Sequence, residues 1–354
     1  MRNTPRTMGR GTKLVTCCVI AGACAILNGY RHTSHRWQER RMDDADDELS
    51  NLVKSYKKDG YVVLPGLLDP VEIRSLGELV NTEIARGTLG PRVGATSGYY
   101  TSDASRHPGL KQIDTYLYSN PQLLRALSGV FGCDNCYRRL PRNDLMADCA
   151  GAPKWHRDRM QGSISDYVGV PQFITNSSDE ALYHLVNVGF YFEDHSHDDA
   201  GLWVVPGSQK KQSMDKVDSA METNSSVVIK SKVGDVIVWD WRTFHRGGFQ
   251  CDGSTARGEN EQHRMLFAGS VGLKNAVSEV MARVLEWKYD TETMTAQQMS
   301  SSGCNGTSNR IWKDCLVRHV KESLRLRPLS KEQQQIVEMN KLKAPKHSVG
   351  RAVF

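Results

Sequence analysis

Several common features are missing from this sequence of 354 residues. No fixed-period repeat is visible, which excludes solenoids and propellers. No stripe of basic residues interleaved with aromatics is visible and the formal net charge is only +6, so we expect no nucleic-acid partner. Cys133 and Cys136 have no second cysteine pair at zinc-site spacing, so they predict a loop with a local disulfide. A lumenal redox protein built on this pair would leave the rest of the chain unexplained.

The N-terminal segment contains no acidic residue before Glu39, and residues 14–27 are uncharged and largely apolar. A membrane-spanning helix needs about 20 apolar residues, so this run is short for one and typical of a signal-peptide core or a short signal anchor. We therefore expect the protein in the lumen of the secretory pathway or anchored to a membrane, with any attachment through residues 14–27 alone. A mitochondrial or plastid presequence is the alternative, because the segment is also basic and contains Ser and Thr.

A candidate metal site lies in the segment Trp155–Asp158, where His156 and Asp158 are two residues apart. In a strand, alternate side chains share a face, so the imidazole and the carboxylate would point the same way. One His and one Asp on one face supply two ligands of a 2-His-1-carboxylate iron(II) site, which leaves coordination positions open for other molecules. A His-x-Asp triplet standing alone is more often a surface polar pair, so the prediction depends on the rest of the chain.

Further motifs follow in a recognisable order. The turn Gly234-Asp235 leads into an apolar strand, and His245 comes after that strand in the sequence His-Arg-Gly-Gly. Arg264 directly precedes another strand pattern, and Gly201-Leu-Trp-Val-Val-Pro-Gly-Ser208 lies between the two histidine segments. Upstream, Asp59-Gly-Tyr-Val-Val-Leu-Pro-Gly-Leu-Leu-Asp69 has the pattern of an opening strand.

Together with Trp155-His-x-Asp, these motifs resemble the phytanoyl-CoA dioxygenase family of iron(II)/2-oxoglutarate-dependent oxygenases. The resemblance covers roughly residues 50–275 and implies an α+β fold, with a double-stranded β-helix (a cupin-like jelly roll) and flanking helices. It divides the chain into a targeting or anchor segment with a linker (1–45), a dioxygenase domain (50–275) and a C-terminal helical extension packed on the core (276–354). Many short strands separated by turn signals independently favour a sandwich or barrel.

The resemblance also implies a catalytic constellation and its cofactors. His156, Asp158 and His245 would bind Fe(II), and 2-oxoglutarate and O2 would take the open positions, with ascorbate as an optional reductant. Asp158 stands where related halogenases have a small residue, so we expect hydroxylation, desaturation or oxidative cyclisation of a small-molecule or acyl substrate, with release of succinate and CO2. The alternative is a non-catalytic cupin-type module that binds a metal or a carbohydrate; cupins usually carry more His ligands and need no late Arg. The oligomeric state is not predicted.

Three further residues are candidates for contacting the cosubstrate or the pocket. A planar, always-charged guanidinium suits the distal carboxylate of 2-oxoglutarate, and we assign this role to Arg264. Arg264 lies farther beyond His245 than the family's arginine usually does, so residues 250–262 look like an insertion. Arg257 is nearer the usual spacing, but no strand follows it. Asn143 is predicted to contact the cosubstrate, and Trp203 is predicted to line the pocket.

Local patterns predict the elements around this site. Asp69 before Pro70 predicts a helix start, and Asn120 before Pro121 predicts a second one. Alternating or continuous apolar runs predict strands from Tyr137 onward and over Leu185–Phe192, Val227–Ile229, Val236–Trp241 and Met265–Val271. The cluster His195-Ser-His-Asp-Asp199 is interpreted as a solvated loop.

Overall fold

The computed structural model describes residues 42–91, 99–101, 104, 107–147, 155–158, 184–210, 225–248 and 265–275, and scattered positions between 278 and 331. The chain divides into two compact units, Met1–Ser50 and Asn51–Phe354. Among the described residues no helix is both long and apolar enough to cross a bilayer. The predicted targeting segment, residues 14–27, lies outside the described residues.

Four helices and ten strands are described in the first 275 residues. The helices are α1 (Met42–Asp59), α2 (Pro70–Ala85), α3 (Lys111–Tyr118) and α4 (Pro121–Phe131). The strands are β1 (Tyr61–Leu64), β2 (Gly90–Pro91), β3 (Tyr99–Thr101), β4 (Tyr137–Ala147), β5 (Leu185–Tyr191), β6 (Trp203–Val204), β7 (Val227–Val228), β8 (Val236–Asp240), β9 (His245–Arg246) and β10 (Met265–Leu273).

The strands form two antiparallel sheets. One has seven strands in the order β1-β8-β5-β10-β4-β3-β2, and the other has three in the order β7-β6-β9. One hydrophobic cluster joins them: Tyr191, Ile237, Trp239, Leu266 and Ala268 come from the large sheet, and Leu202, Val204 and Ile229 from the small sheet and its flanks. The predicted α+β class is confirmed. Two sheets that share one core are the arrangement expected of a jelly roll.

Two helices, α2 and α4, begin where the sequence predicts them. The Asp69 side chain accepts a hydrogen bond from the Val71 backbone N–H at 2.8 Å, and α2 buries the apolar side chains of Ile73, Leu76, Val80 and Ile84. The Asn120 side chain caps α4 by accepting from the backbone N–H groups of Gln122 and Leu123. These caps satisfy N–H groups that have no partner within the helix.

The apolar strands have two buried faces. All seven residues of β5 and all five of β8 are buried. The shared cluster covers one face of the large sheet, and helix residues lie against the other, with Gly77 of α2 next to Phe192 and Met265, and Tyr118 of α3 next to Gly269. Neighbouring side chains on such a strand therefore enter two different environments. In β5, Asn187 and Tyr191 share one face, and Val186, Val188 and Phe190 share the other. Tyr191 belongs to the shared cluster, so the Asn187 face looks into the space between the sheets.

Two predictions outside the site have clear outcomes. Cys133 and Cys136 form the local disulfide, with their Cα atoms 5.8 Å apart. The prediction that the His195 cluster is a solvated loop is wrong for His195, whose exposed fraction is 1%. His195 lies 2.9 Å from Asp198 and 3.4 Å from Glu193. Burial lowers the pKa of His195, but hydrogen bonds and charge from Glu193 and Asp198 outweigh it and hold that pKa above its ordinary value.

Candidate metal centre

Two segments far apart in the chain meet at His156 and His245. The two residues exchange both backbone hydrogen bonds, N–H of each to C=O of the other, at 2.9 Å. In such an antiparallel pair the two side chains stand on the same face. Their rings are accordingly 4.4 Å apart between centroids. This isolated bridge extends the small sheet beyond β9 and carries the Trp155–Asp158 segment into the space between the sheets.

The third predicted ligand is close to both histidines. One ligand atom from each of His156, Asp158 and His245 lies within 4.8 Å of the other two. Asp158 Oδ2 is 3.7 Å from His245 Nε2, and the side chains of Asp158 and His245 are 9% and 6% exposed. The predicted common face of His156 and Asp158 is therefore present. Two imidazoles and one carboxylate converging from one side fit the donor set of a facial iron(II) site.

The orientation of His245 is fixed by the turn that precedes it. His245 Nδ1 lies 2.8 Å from the backbone carbonyl of Thr243. Because a carbonyl only accepts, Nδ1 carries the proton and Nε2 carries the lone pair that would bind a metal. Thr243 is itself held, since its hydroxyl donates to the Gly60 carbonyl at 2.8 Å and its N–H donates to the Asp240 carbonyl at 2.9 Å.

The Asp158 carboxylate has a hydrogen-bond donor that sequence reasoning missed. Asn187 Nδ2 donates to Asp158 Oδ2 at 2.6 Å. Asn187 Oδ1 in turn accepts from Trp241 Nε1 at 2.8 Å and from Ser270 Oγ at 2.7 Å. The sequence did offer a signal for this contact, because Asn187 is a single amide within the apolar run that predicts β5.

A buried aromatic donor also borders the histidines. The Trp239 ring lies edge-on to His245, with centroids 6.0 Å apart, and its exposed fraction is 3%. Its Nε1–H has no hydrogen-bond partner within the described part of the chain. A buried donor left without an acceptor is costly, so the Trp239 N–H is a candidate donor to an oxygen of a bound ligand.

Asn143 does not join this site. It pairs with Gly269 across β4 and β10, whereas the neighbouring Ser270 faces Asn187. Its side-chain oxygen and the Tyr118 hydroxyl both lie near the position that a Cβ of Gly269 would occupy, on the helix-covered face of the large sheet. The predicted contact of Asn143 with the cosubstrate does not fit this placement, because strand alternation turns its side chain away from the ligands.

Trp203 is also turned away from the ligand atoms. It pairs with Arg246 while Val204 pairs with His245, so Trp203 and His245 lie on opposite faces of the small sheet. The Arg246 guanidinium carbon stands 4.9 Å from the Trp203 ring centroid and 5.3 Å from that of Trp155. The predicted pocket-lining role of Trp203 does not fit, and a cation–π stack accounts for its position instead.

Arg264 and its rival Arg257 lie outside the described residues. The strand after Arg264 is described and matches the prediction, because Met265 and Phe267 are both fully buried in β10. The start of β10 is held by Glu193, whose carboxylate accepts from the Met265 N–H at 2.6 Å.

Comparisons with known proteins agree with the sequence motifs. The profile of the phytanoyl-CoA dioxygenase (PhyH) family matches residues 56–250, more than half of the chain, and confirms the predicted resemblance. A comparison with curated protein sequences found no match.

Among solved structures, the chain is similar to the non-haem α-ketoglutarate-dependent epimerase SnoN from nogalamycin biosynthesis (18% identity, TM-score 0.47, covering 65% of this chain and 82% of SnoN). It is also similar to AviO1 from Streptomyces viridochromogenes Tue57 (17% identity, TM-score 0.46, covering 64% and 95%). A third is the α-ketoglutarate-dependent carbocyclase SnoK from nogalamycin biosynthesis (16% identity, TM-score 0.44, covering 62% and 82%).

Proposed function

Because the chain belongs to the phytanoyl-CoA dioxygenase family, and is therefore a 2-oxoglutarate-dependent iron oxygenase, we propose that it oxidises an unactivated C–H bond of a small-molecule or acyl substrate. The product would be hydroxylated, desaturated or cyclised, and succinate and CO2 would be released. The observation that carries this proposal is the convergence of His156, Asp158 and His245 to within 4.8 Å.

The proposed ligands of Fe(II) are His156, Asp158 and His245. Bound iron, 2-oxoglutarate and O2 would together supply the oxidant, and the protein's share is to hold the ligands, place the substrate and exclude water. The Thr243 carbonyl keeps the proton of His245 on Nδ1, so that Nε2 remains a metal ligand. Asp158 would supply the carboxylate ligand at the position where related halogenases have a small residue, which favours C–H oxygenation over halogenation.

Arg264 would bind the distal carboxylate of 2-oxoglutarate. A guanidinium presents two parallel N–H donors to a carboxylate, and each charge-assisted hydrogen bond contributes about 1.5–3 kcal/mol. The buried strand β10 starts one residue later, which supports Arg264 over Arg257 as a rigidly held side chain. The Trp239 N–H, which has no partner among the residues that the structure describes, is a further candidate donor to an oxygen of the cosubstrate or the substrate.

The test is turnover of 2-oxoglutarate by the full-length protein with Fe(II), O2 and ascorbate, the last to keep the iron reduced. Acyl thioesters, free amino acids and small compatible solutes form the substrate panel, and succinate is the quantity measured. We expect iron-dependent succinate formation that at least one panel compound stimulates. Binding of iron and 2-oxoglutarate without O2 is the control for an intact site.

The triad variants give the matching negative control. His156→Ala, Asp158→Ala and His245→Ala should each abolish succinate formation and leave the thermal unfolding midpoint near that of the parent protein. Metal binding by the parent without any consumption of 2-oxoglutarate would instead favour a binding module of cupin type. Full activity in one of the three variants would remove that residue from the site.

A further inference from the structure

Asn187 has an unusual position for an amide. It lies in the middle of β5, a strand whose other six residues are apolar or glycine, and its exposed fraction is 3%. Burying an amide in an apolar environment is costly unless its hydrogen bonds are satisfied. An apolar residue would fill this position without that cost. The amide therefore needs a reason beyond packing.

The hydrogen bonds of Asn187 fix which end of the amide faces Asp158. Trp241 Nε1 is a donor with no acceptor capacity, and it lies 2.8 Å from Asn187 Oδ1. The Ser270 hydroxyl donates to the same oxygen at 2.7 Å. With Oδ1 committed to these two donors, the NH2 group must point the other way, where it donates to Asp158 Oδ2 at 2.6 Å.

Through Asn187 of β5, these contacts connect Asp158 to the two strands that flank β5 in the large sheet, β8 and β10. Trp241 directly follows β8, Ser270 lies in β10, and Asn187 sits on the strand between them. Asp158 lies on the segment 155–158, which is joined to the rest by the bridge between His156 and His245, by the hydrogen bond from Arg157 to the Ser208 carbonyl and by the stacking of Trp155 on Phe244. These contacts position the segment, and the Asn187 hydrogen bond ties the Asp158 carboxylate itself to the large sheet.

We propose that Asn187 is a positioning residue that fixes the rotation of the Asp158 carboxylate for metal binding. A carboxylate has about four lone-pair sites, so Asp158 can accept the amide N–H and still present a lone pair to a metal ion. Partners of this kind orient metal ligands, and their loss typically lowers metal affinity or activity about 10–100-fold. The inference rests on the proposed function, since it takes Asp158 to be a metal ligand.

The experiment is a titration of the full-length, metal-free protein with Co(II), followed by the visible absorption of the bound ion. This readout needs neither substrate nor turnover. Asn187→Leu removes the donor and keeps a similar volume, so we expect about 10–100-fold weaker Co(II) binding and an altered Co(II) spectrum. Ser270→Ala removes one of two donors to Asn187 and should give a smaller loss in the same direction.

A double-mutant cycle separates positioning from a general structural role. If Asn187 acts through Asp158, then Asn187→Leu should weaken Co(II) binding little further in a protein that already carries Asp158→Ala. Equal losses in the two backgrounds would overturn the proposal, because the effect would then not pass through the carboxylate.

Asn120→Leu is the matched control. The Asn120 oxygen also accepts two N–H groups and its NH2 donates to the Leu67 carbonyl at 3.0 Å, but it caps α4 and is not part of the triad. We expect it to lower the unfolding midpoint and to leave Co(II) affinity unchanged. Unchanged affinity in Asn187→Leu would also overturn the proposal. Failure of the parent protein to bind Co(II) would instead count against the proposed iron site.

Discussion

The ion pair between Asp240 and Arg242 allows a sharp prediction, because it lies at the turn that delivers His245. Asp240 is 1% exposed, and the Arg242 side chain is 12% exposed. Arg242 donates to both carboxylate oxygens, from Nε at 2.8 Å and from Nη2 at 2.5 Å. The Asp240 backbone carbonyl also accepts the Thr243 N–H, which links the pair to the residue that orients His245.

We predict that Asp240→Asn destabilises the protein by about 3 kcal/mol at pH 7. Removing one partner of a buried pair typically costs about 3–5 kcal/mol, because the remaining charge loses that partner while it stays largely out of water. Arg242 keeps some access to water, which places the expected loss at the lower end. About 3 kcal/mol corresponds to a roughly hundredfold larger unfolding constant. Urea unfolding followed by tryptophan fluorescence measures it.

The pH dependence gives a second, independent readout. Burial raises the pKa of the Asp240 carboxyl, but hydrogen bonds and charge from Arg242 outweigh it and hold that pKa below its ordinary value. A carboxyl with a lowered folded-state pKa stabilises the protein fully above its unfolded pKa of about 3.9, and this contribution is lost as the pH falls through the folded-state value. The deficit of Asp240→Asn should therefore be constant from about pH 7 to about pH 5 and shrink below about pH 4.

The double variant Asp240→Asn with Arg242→Met tests the source of the effect. If the pair is responsible, the two single losses should not add, and the coupling should be about 1–3 kcal/mol. A loss below about 1 kcal/mol at pH 7 would refute the reasoning, since it falls short of the cost of removing one partner of a buried pair. A deficit that stays unchanged in acid would equally refute it.

Three other outcomes are expected. Arg264→Lys should raise the concentration of 2-oxoglutarate needed for half-maximal succinate formation roughly tenfold or more, because one point charge replaces a planar fork; Arg257→Lys should change it little, and the opposite result would place the loop arginine in the site. A fluorescent protein fused to residues 1–45 should leave the cytosol, and a diffuse cytosolic signal would contradict a targeting role. Gly189→Ala should lower the free energy of unfolding by about 1–3 kcal/mol in urea, because its Cβ would lie 2.6 Å from the Phe267 carbonyl oxygen. An unchanged unfolding midpoint would show that the β10 backbone shifts to make room for the methyl group.

Several elements could be predicted from the sequence because they depend on contacts between residues close together in the chain. Asp69 and Asn120 cap helices through contacts within three residues, and proline at the following position fixes the start, so both helices begin where predicted. The His-x-Asp spacing is equally local, since strand alternation alone puts two such side chains on one face. By contrast, the Asn187 contact spans 29 residues in the chain and cannot be read from spacing.

The burial of His195 shows that the composition of a segment does not determine whether each of its residues is exposed. A run rich in His, Ser and Asp predicts a solvated loop, yet the ring is held under Tyr191, edge-on at 4.5 Å, with Asp198 beside it. Polar residues are buried where their hydrogen bonds are satisfied, and the sequence does not show which hydrogen-bond partners will lie within reach.

The sequence by itself determined the family, the α+β class and the three candidate ligands, because these follow from motif order and from the two-residue period of a strand. Only the tertiary structure decided which face each strand turns inward. That choice takes Asn143 and Trp203 away from the ligands and brings Asn187 to Asp158. The physical reason is register: a shift of one residue moves a side chain to the opposite face, and register is set by cross-strand pairing over the whole sheet, not by neighbours in the chain.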